Sequence, residues 1–210
     1  MELIMGRLND PELDQTTYFD MLRFRYRIFK EKLAWDVQGA DGMEFDIYDT
    51  LNPYYMIAKR DTAVTGCWRL LPTTGPYMLK NTFNHLLQGQ PAPSGEHIWE
   101  VSRFAVDVPG ATATEQAGFN WVTLEMFRRA VVFAVQKGIK QFVSVNSLAF
   151  EKVMDRAGIR SRRFENTEPQ RIGKVSTVAC WIDINDQLLR NLFLTSVVNQ
   201  QQDTGTKLIA

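Results

Sequence analysis

The sequence predicts an α/β fold, a three-layer αβα sandwich around a mixed central sheet, and three patterns carry that prediction. An amphipathic helix comes first. Two strands joined by a tight turn follow it, and the second half alternates strand, helix, strand, helix, strand. A chain of 210 residues suits one well-buried core, so a single domain over 1–210 is expected, with about the last 20 residues frayed.

From Asp14 to Leu33, the residues Tyr18, Leu22, Tyr26, Phe29 and Leu33 recur at the three- and four-residue spacing of one helix face. Trp35 to Thr50 is a polar, Gly-containing loop. Tyr54 to Ala58 and Val64 to Leu71 read as strands around a turn at Arg60-Asp61-Thr62. Pro72 to Pro76 interrupts, a short helical piece spans Leu79 to Leu87, and a second loop covers Gln88 to Glu96. Ile98 to Val106 is the next strand, ended by Asp107 to Gly110. Phe119 to Lys137 is the clearest helix, with Val122, Met126, Ala130 and Ala134 on its stripe and Gly138 as its C-cap. Gln141 to Val145 is a short strand, Leu148 to Ala157 a helix stopped by Gly158, and Val175 to Ile184 a long strand.

Composition removes several function classes. Lys plus Arg and Asp plus Glu are both 24, so nothing global points to nucleic acid or an anionic membrane. Two cysteines and two histidines support neither a disulfide framework nor a metal site. No apolar run reaches roughly 18 residues, so membrane insertion is not expected and the cytoplasm is the default compartment. Charge is unevenly placed. Asp36 to Asp49 holds five acids and no Lys or Arg, whereas Lys152 to Lys174 holds seven bases against three acids.

Four features could carry chemistry. Arg25 projects from the edge of the first helix's apolar stripe. A buried guanidinium is costly alone, so it needs a carboxylate or a ligand unless it snorkels to the surface. Asp46 and Asp49 stand three apart among aromatics and can hold a cation or simply cap a solvated loop. Arg69 sits within the apolar strand Val64 to Leu71 and requires an acid, which either aspartate could supply. Glu100 and Arg103 lie three apart in one strand, so they face opposite sides unless a bulge near position 101 turns them together. Flanked by Trp99 and Val101, Glu100 could carry a raised pKa and act as general base for an amine. Otherwise both are ordinary sheet charges.

Arg25, Phe29 four residues later and Trp35 six beyond that form an ordered series. Asp46, Asp49, Arg69, Phe83 and Glu100-x-x-Arg103-Phe104 continue it. In these residues the chain resembles the acyl-homoserine-lactone synthases, the LuxI family of autoinducer synthases, from about residue 20 to residue 184. The resemblance implies a GNAT-like form of the sandwich and an acyltransferase with no cofactor. S-adenosylmethionine would supply the amine, and an acyl carrier protein, or acyl-coenzyme A, would deliver the acyl group as a thioester. It implies a charged network of Arg25, Asp46, Asp49, Arg69 and Arg103 around the amine substrate, with Glu100 as base and Phe29, Trp35 and Phe83 in contact with substrate. Phe104, Met126, Val143, Ser144, Val145, Leu148 and Trp181 would line an acyl-chain tunnel. Ser144 stands where many members carry Thr, which leans towards an unsubstituted chain. Lys152, Arg156, Arg160, Arg162 and Arg163 would dock an acidic carrier protein.

Three other readings compete. GNAT acetyltransferases hold the coenzyme A pyrophosphate on a Gly-rich turn, which the run from Gly110 to Gly118 does not match. That weakens a general acyl-coenzyme A N-acyltransferase acting on another amine. A non-catalytic small-molecule sensor would bind S-adenosylmethionine without consuming it. A transferase with Cys67 as nucleophile lacks a histidine partner in the sequence.

Overall fold

A computed structural model of the chain describes residues 1–108, 110 and 120–193. Its centre is an eight-stranded sheet in the order β1 (Glu2–Gly6), β4 (Tyr54–Arg60), β5 (Ala63–Pro72), β6 (Ile98–Val106), β7 (Gln141–Ser147), β10 (Val175–Asp183) and β8 (Ser161–Arg163). The eighth strand, β9 (Gln170–Ile172), also pairs with β10. All these pairs are antiparallel except β6 with β7, which makes the sheet mixed.

The first helix, α1 (Gln15–Arg25), starts at Asp14, whose carboxylate accepts from Thr17 N–H at 2.9 Å. Beyond Arg25 the chain does not stay α-helical to Leu33 as the periodicity predicts. Tyr26–Lys32 is a π-helical stretch, a distinction that spacing of apolar residues cannot make. The loop predicted over 35–50 contains a small hairpin, β2 (Gly39–Ala40) with β3 (Met43–Glu44), and the start of a 3₁₀ turn at Ile47–Leu51. The helical piece after Pro76 divides into α2 (Met78–Asn81) and a 3₁₀ turn at Asn84–Leu87. The long helix α3 (Trp121–Gln136) is capped by Asn120 and followed by Gly138 at φ 69°, where a side chain would be strained. The helix α4 (Leu148–Arg156) follows β7 directly. Residues 186–193 form a further helix, α5, that runs into the end expected to be frayed; 194–210 lie outside the described residues. So does the run 111–118 that lacks the Gly-rich turn.

Helices cover both sheet faces, as a sandwich requires. α3 and α4 pack with Trp68, Leu70, Trp99, Val101, Phe142 and Ile182 on one face. α3 comes close because position 66 is glycine: a Cβ there would lie 2.8 Å from Met126 Sδ. The other face carries α1 over Tyr55, Ile57 and Cys67, and further along a cluster of Tyr77, Leu79, Leu86, Val143 and Ala179.

Two irregularities shape the region between those clusters. Arg69 lies opposite Ser102 and Cys67 opposite Ala105, so Trp68 faces two residues, Arg103 and Phe104. This β-bulge sits two residues beyond the position anticipated, and Arg103 takes φ 58° to make it. The bulge turns Arg103 onto the face of Glu100 and Ser102, and Phe104 onto the α3 face. Secondly, β6 and β7 pair from Ile98/Gln141 to Val101/Ser144 and then separate, although both strands continue.

Candidate active site

Six charged side chains meet on the α1 face in a closed ring of alternating sign. Arg25 donates through Nε to Glu44 at 2.5 Å and through both terminal nitrogens to Asp49 at 2.8 and 3.0 Å. Asp49 also accepts from Arg69 at 2.9 Å, and Arg69 donates to both Asp46 oxygens at 2.6 and 3.1 Å. Arg103 donates to Asp46 at 2.9 Å and through Nε to Glu44 at 3.0 Å, which closes the ring. Three guanidiniums and three carboxylates leave no net charge, and each has two partners of opposite sign. That pairing is what permits burial.

Local structure fixes every member. Arg25 ends α1, Glu44 lies on β3, and Asp46 and Asp49 form a reciprocal capping box on the 3₁₀ turn. Arg69 stands on β5 and Arg103 on the bulge of β6. Tyr55 donates to Asp49 at 2.8 Å, and Ser102 Oγ accepts from Arg69 Nε at 3.2 Å. Burial alone would raise the Asp49 carboxyl, but Arg25 and Arg69 outweigh it and hold Asp49 well below the usual carboxylate range. Burial likewise opposes charge on Arg25, and Asp49 and Glu44 overcome it.

Glu100 lies one strand along from Arg69 and is fully buried. Its two oxygens accept from the backbone N–H groups of Met78 at 2.9 Å and Leu79 at 2.7 Å. Desolvation dominates those bonds and pushes its carboxyl up to about 7. A carboxylate poised there exchanges protons at neutral pH.

Exposure is distributed unequally around the ring. The Arg103 and Asp46 side chains are each 10% exposed, against 3% or less for the other four. Only the Arg103–Asp46 edge therefore reaches open space. Phe29 and Trp35 stack 5.2 Å apart nearby, with the Arg103 guanidinium 5.6 Å from the Phe29 ring. Phe83 packs between the Tyr77 cluster and a smaller one of Tyr48, Leu71 and Met78.

The residues expected to line one tunnel fall on two sides of the sheet, which corrects the idea of a single set of walls. Phe104 and Met126 belong to the α3-face cluster. Val143, Val145 and Trp181 belong to the opposite one, with Trp181 stacked on Phe164 at 5.0 Å. Ser144 is buried on the α3 face, and Leu148 is half-buried at the start of α4. Side chains alternate across a strand, so Val143 and Ser144 cannot share a wall. The place where the two sides meet is the divergence of β6 from β7. In the basic segment Lys152, Arg156 and Arg160 are exposed, Arg162 lies over the Trp181 ring at 5.7 Å, and Arg163 pairs with Glu151 through two bonds.

Sequence reasoning left Glu44 out of the network, although it belongs to the same acid-rich run. The signal was available: three arginines among two aspartates leave one guanidinium short of an acid, and Glu44 lies two residues before Asp46. Ser102, Tyr55 and the Met78 and Leu79 amides carried no local signal.

The autoinducer synthase family model matches residues 9–192. An acyl-homoserine-lactone synthase of Pseudomonas aeruginosa is 42% identical over 193 residues, 90% of this chain and 94% of that protein. The crystal structure of the acyl-homoserine-lactone synthase LasI superposes with a TM-score of 0.81 at 41% identity, covering 91% of this chain and 94% of LasI. The coenzyme A-dependent synthase BjaI, solved with S-adenosylmethionine and isopentyl-coenzyme A, gives 0.78 at 25% identity over 92% of this chain and 89% of BjaI. An acyl-coenzyme A N-acyltransferase at 14% identity and a TM-score of 0.54 shares the fold alone, the GNAT-like sandwich. The chain belongs to the autoinducer synthase family, whose members are acyltransferases that form acyl-homoserine lactones.

Proposed function

We propose that this chain acylates the amine of S-adenosylmethionine with a thioester-borne acyl group and then closes the acylated intermediate to an N-acyl-homoserine lactone. The observation that carries the reading is the single accessible edge of a neutral charge ring, placed beside a buried glutamate with a carboxyl near 7. An amino-acid head group offers that edge an anion and a cation. Arg103 suits its carboxylate by paired N–H donation, and Asp46 suits its amine. The Phe29–Trp35 stack borders the same edge and suits a planar or cationic group.

Glu100 takes the amine proton, directly or through one water. The nitrogen then attacks the thioester carbon, the C–S bond breaks, and the thiol leaves with a proton. In the second step a carboxylate oxygen attacks the methylene carbon next to the sulfonium. That C–S bond breaks in turn, and methylthioadenosine departs uncharged. Glu44 and Asp46 share the Arg103 charge, which leaves the substrate carboxylate reactive while it is held.

The acyl chain leaves the reacting centre through the gap between β6 and β7, which explains why its candidate contacts divide across the sheet. BjaI is coenzyme A-dependent and was solved with isopentyl-coenzyme A, so a relative of this fold binds a coenzyme A-borne chain. For this chain the exposed arginines and lysine of the basic segment favour an acidic carrier protein as donor. A cytoplasmic location accords with those substrates.

Mass spectrometry of purified protein with S-adenosylmethionine and a panel of carrier-protein and coenzyme A thioesters tests the reading. The expected outcome is an N-acyl-homoserine lactone and methylthioadenosine in equal amounts. Retained binding of S-adenosylmethionine with neither product from any donor would replace it with a sensor.

A further inference from the structure

The guanidinium nitrogens of the ring are matched to oxygens with one exception. Arg25 gives all three of its nitrogens to carboxylates, and Arg69 gives its own to Asp46, Asp49 and Ser102. Arg103 commits Nε to Glu44 and Nη2 to Asp46. Its Nη1 has no oxygen partner among the described residues and meets instead the Sδ of Met78 at 3.5 Å. The same sulfur accepts from Arg69 Nη2 at 3.0 Å. A thioether is a weak acceptor, so its place between two buried cations calls for an explanation.

Packing alone does not require sulfur there. Met78 is buried with Tyr48, Leu71 and Phe83, a cluster that leucine would fill nearly as well. The backbone around it is pinned. Tyr77 donates its hydroxyl to the Pro93 carbonyl and its N–H to Asn81 Oδ1 at 3.2 Å, and Glu100 holds the N–H groups of Met78 and Leu79. Met78 therefore touches both halves of the site. Its main chain fixes the Glu100 carboxyl, and its side chain contacts Arg69 and Arg103, the latter on the edge that reaches open space.

We infer that Met78 is a positioning residue whose thioether holds Arg103 Nη1 ready for the carboxylate of the amine substrate. The inference rests on the reading in which S-adenosylmethionine occupies the open edge of the ring. An amide or carboxylate oxygen in place of the sulfur would bond Nη1 strongly, and the substrate would have to displace it. A hydrocarbon would leave Nη1 with nothing to orient it. The polarisable sulfur orients Nη1 and yields to a carboxylate, whose charge-assisted bond is the stronger one. Because the N–H of the same residue bonds Glu100, the substrate carboxylate and the base are held in one register, and the amine is presented towards Glu100.

The test is calorimetric binding of two ligands to the full chain: S-adenosylmethionine and its decarboxylated analogue, which keeps the amine and the sulfonium. The wild type should bind S-adenosylmethionine about tenfold or more tightly than the analogue. Met78→Leu should weaken S-adenosylmethionine by about three- to tenfold and Met78→Gln by about tenfold or more, while both bind the analogue as the wild type does. A purely structural role for Met78 would weaken both ligands alike. Met78→Leu conserves volume and should melt close to the wild type, so it decides alone where Met78→Gln fails to fold. Equal losses for the two ligands, an unchanged affinity for S-adenosylmethionine in either folded variant, or a wild type that does not distinguish the ligands would each overturn the inference. Those results from a wild type that still forms lactone defeat this inference alone, whereas a wild type that does not bind S-adenosylmethionine defeats the acylation reading and this inference with it.

Discussion

Two groups of arginines in this molecule stand in opposite settings, and the contrast between them separates architecture from docking. Arg25, Arg69 and Arg103 are enclosed by Glu44, Asp46 and Asp49 in a ring where every charge has two opposite neighbours. Arg160, Arg162 and Arg163 are exposed on the far edge of the sheet, where water screens their charge and only Arg163 has a bidentate acid. In the ring each partner is a condition for burying the others, so geometry and stability are one property. On the exposed edge each side chain is nearly independent, and its effect should fall on encounter with a partner.

Breaking the ring should have the largest effect. Arg69→Ala strands Asp46 and Asp49, so it should abolish turnover and lower stability by about 3–5 kcal/mol, measured by urea unfolding. A variant as stable as the wild type would contradict the ring. Glu44→Gln keeps the shape while leaving Arg25 and Arg103 each one acid short. A smaller loss, about 1.5–3 kcal/mol, is expected in the same measurement.

The pH dependence sharpens the contrast within the ring's own surroundings. The Glu100 carboxyl is raised from its ordinary 4.5 to about 7, so the folded protein binds that proton more tightly than the unfolded chain. Its stabilising contribution is complete below the unfolded value and is lost as pH rises through about 7. Asp49 runs the other way: its carboxyl is depressed, so its contribution is present above the ordinary 3.8 and disappears on acidification. Melting temperature against pH should decline between about 4.5 and 7, and Glu100→Gln should flatten that decline. An identical slope in the variant would remove Glu100 as its cause.

Neutralising Arg160, Arg162 and Arg163 together should have the smallest structural effect, within about 0.5 kcal/mol. It should raise KM for a carrier-bound donor, leave kcat near the wild-type value, and weaken with added salt. An unchanged KM would place carrier docking elsewhere.

How much of this was legible in the sequence follows the same contrast. The long helix α3 was readable because sixteen residues repeat one stripe, and the strands β4, β5, β6 and β10 because their apolar runs are bounded by turn residues. β1, β8 and β9 were not foreseen; five or three residues carry too little pattern, and their pairing is decided by distant partners. Arg69 was informative because an arginine within an apolar strand demands an acid. The three-residue spacing of Glu100 and Arg103 required a bulge, which lies at Arg103 and Phe104. Glu44 escaped because a lone acid in a loop has no such constraint until the ring is counted. The parting of β6 from β7 was invisible, since strand pairing is not a local property.

Glu100 is proposed as the base that readies the amine beside the ring. The most direct measurement is the pH profile of acyl transfer in a single turnover, compared between the wild type and Glu100→Gln. The wild-type rate should rise with pH through about 7, and the variant should lose that inflection with a rate about 10²–10⁴-fold lower. A Glu100→Gln enzyme that keeps both the rate and the inflection would contradict the account.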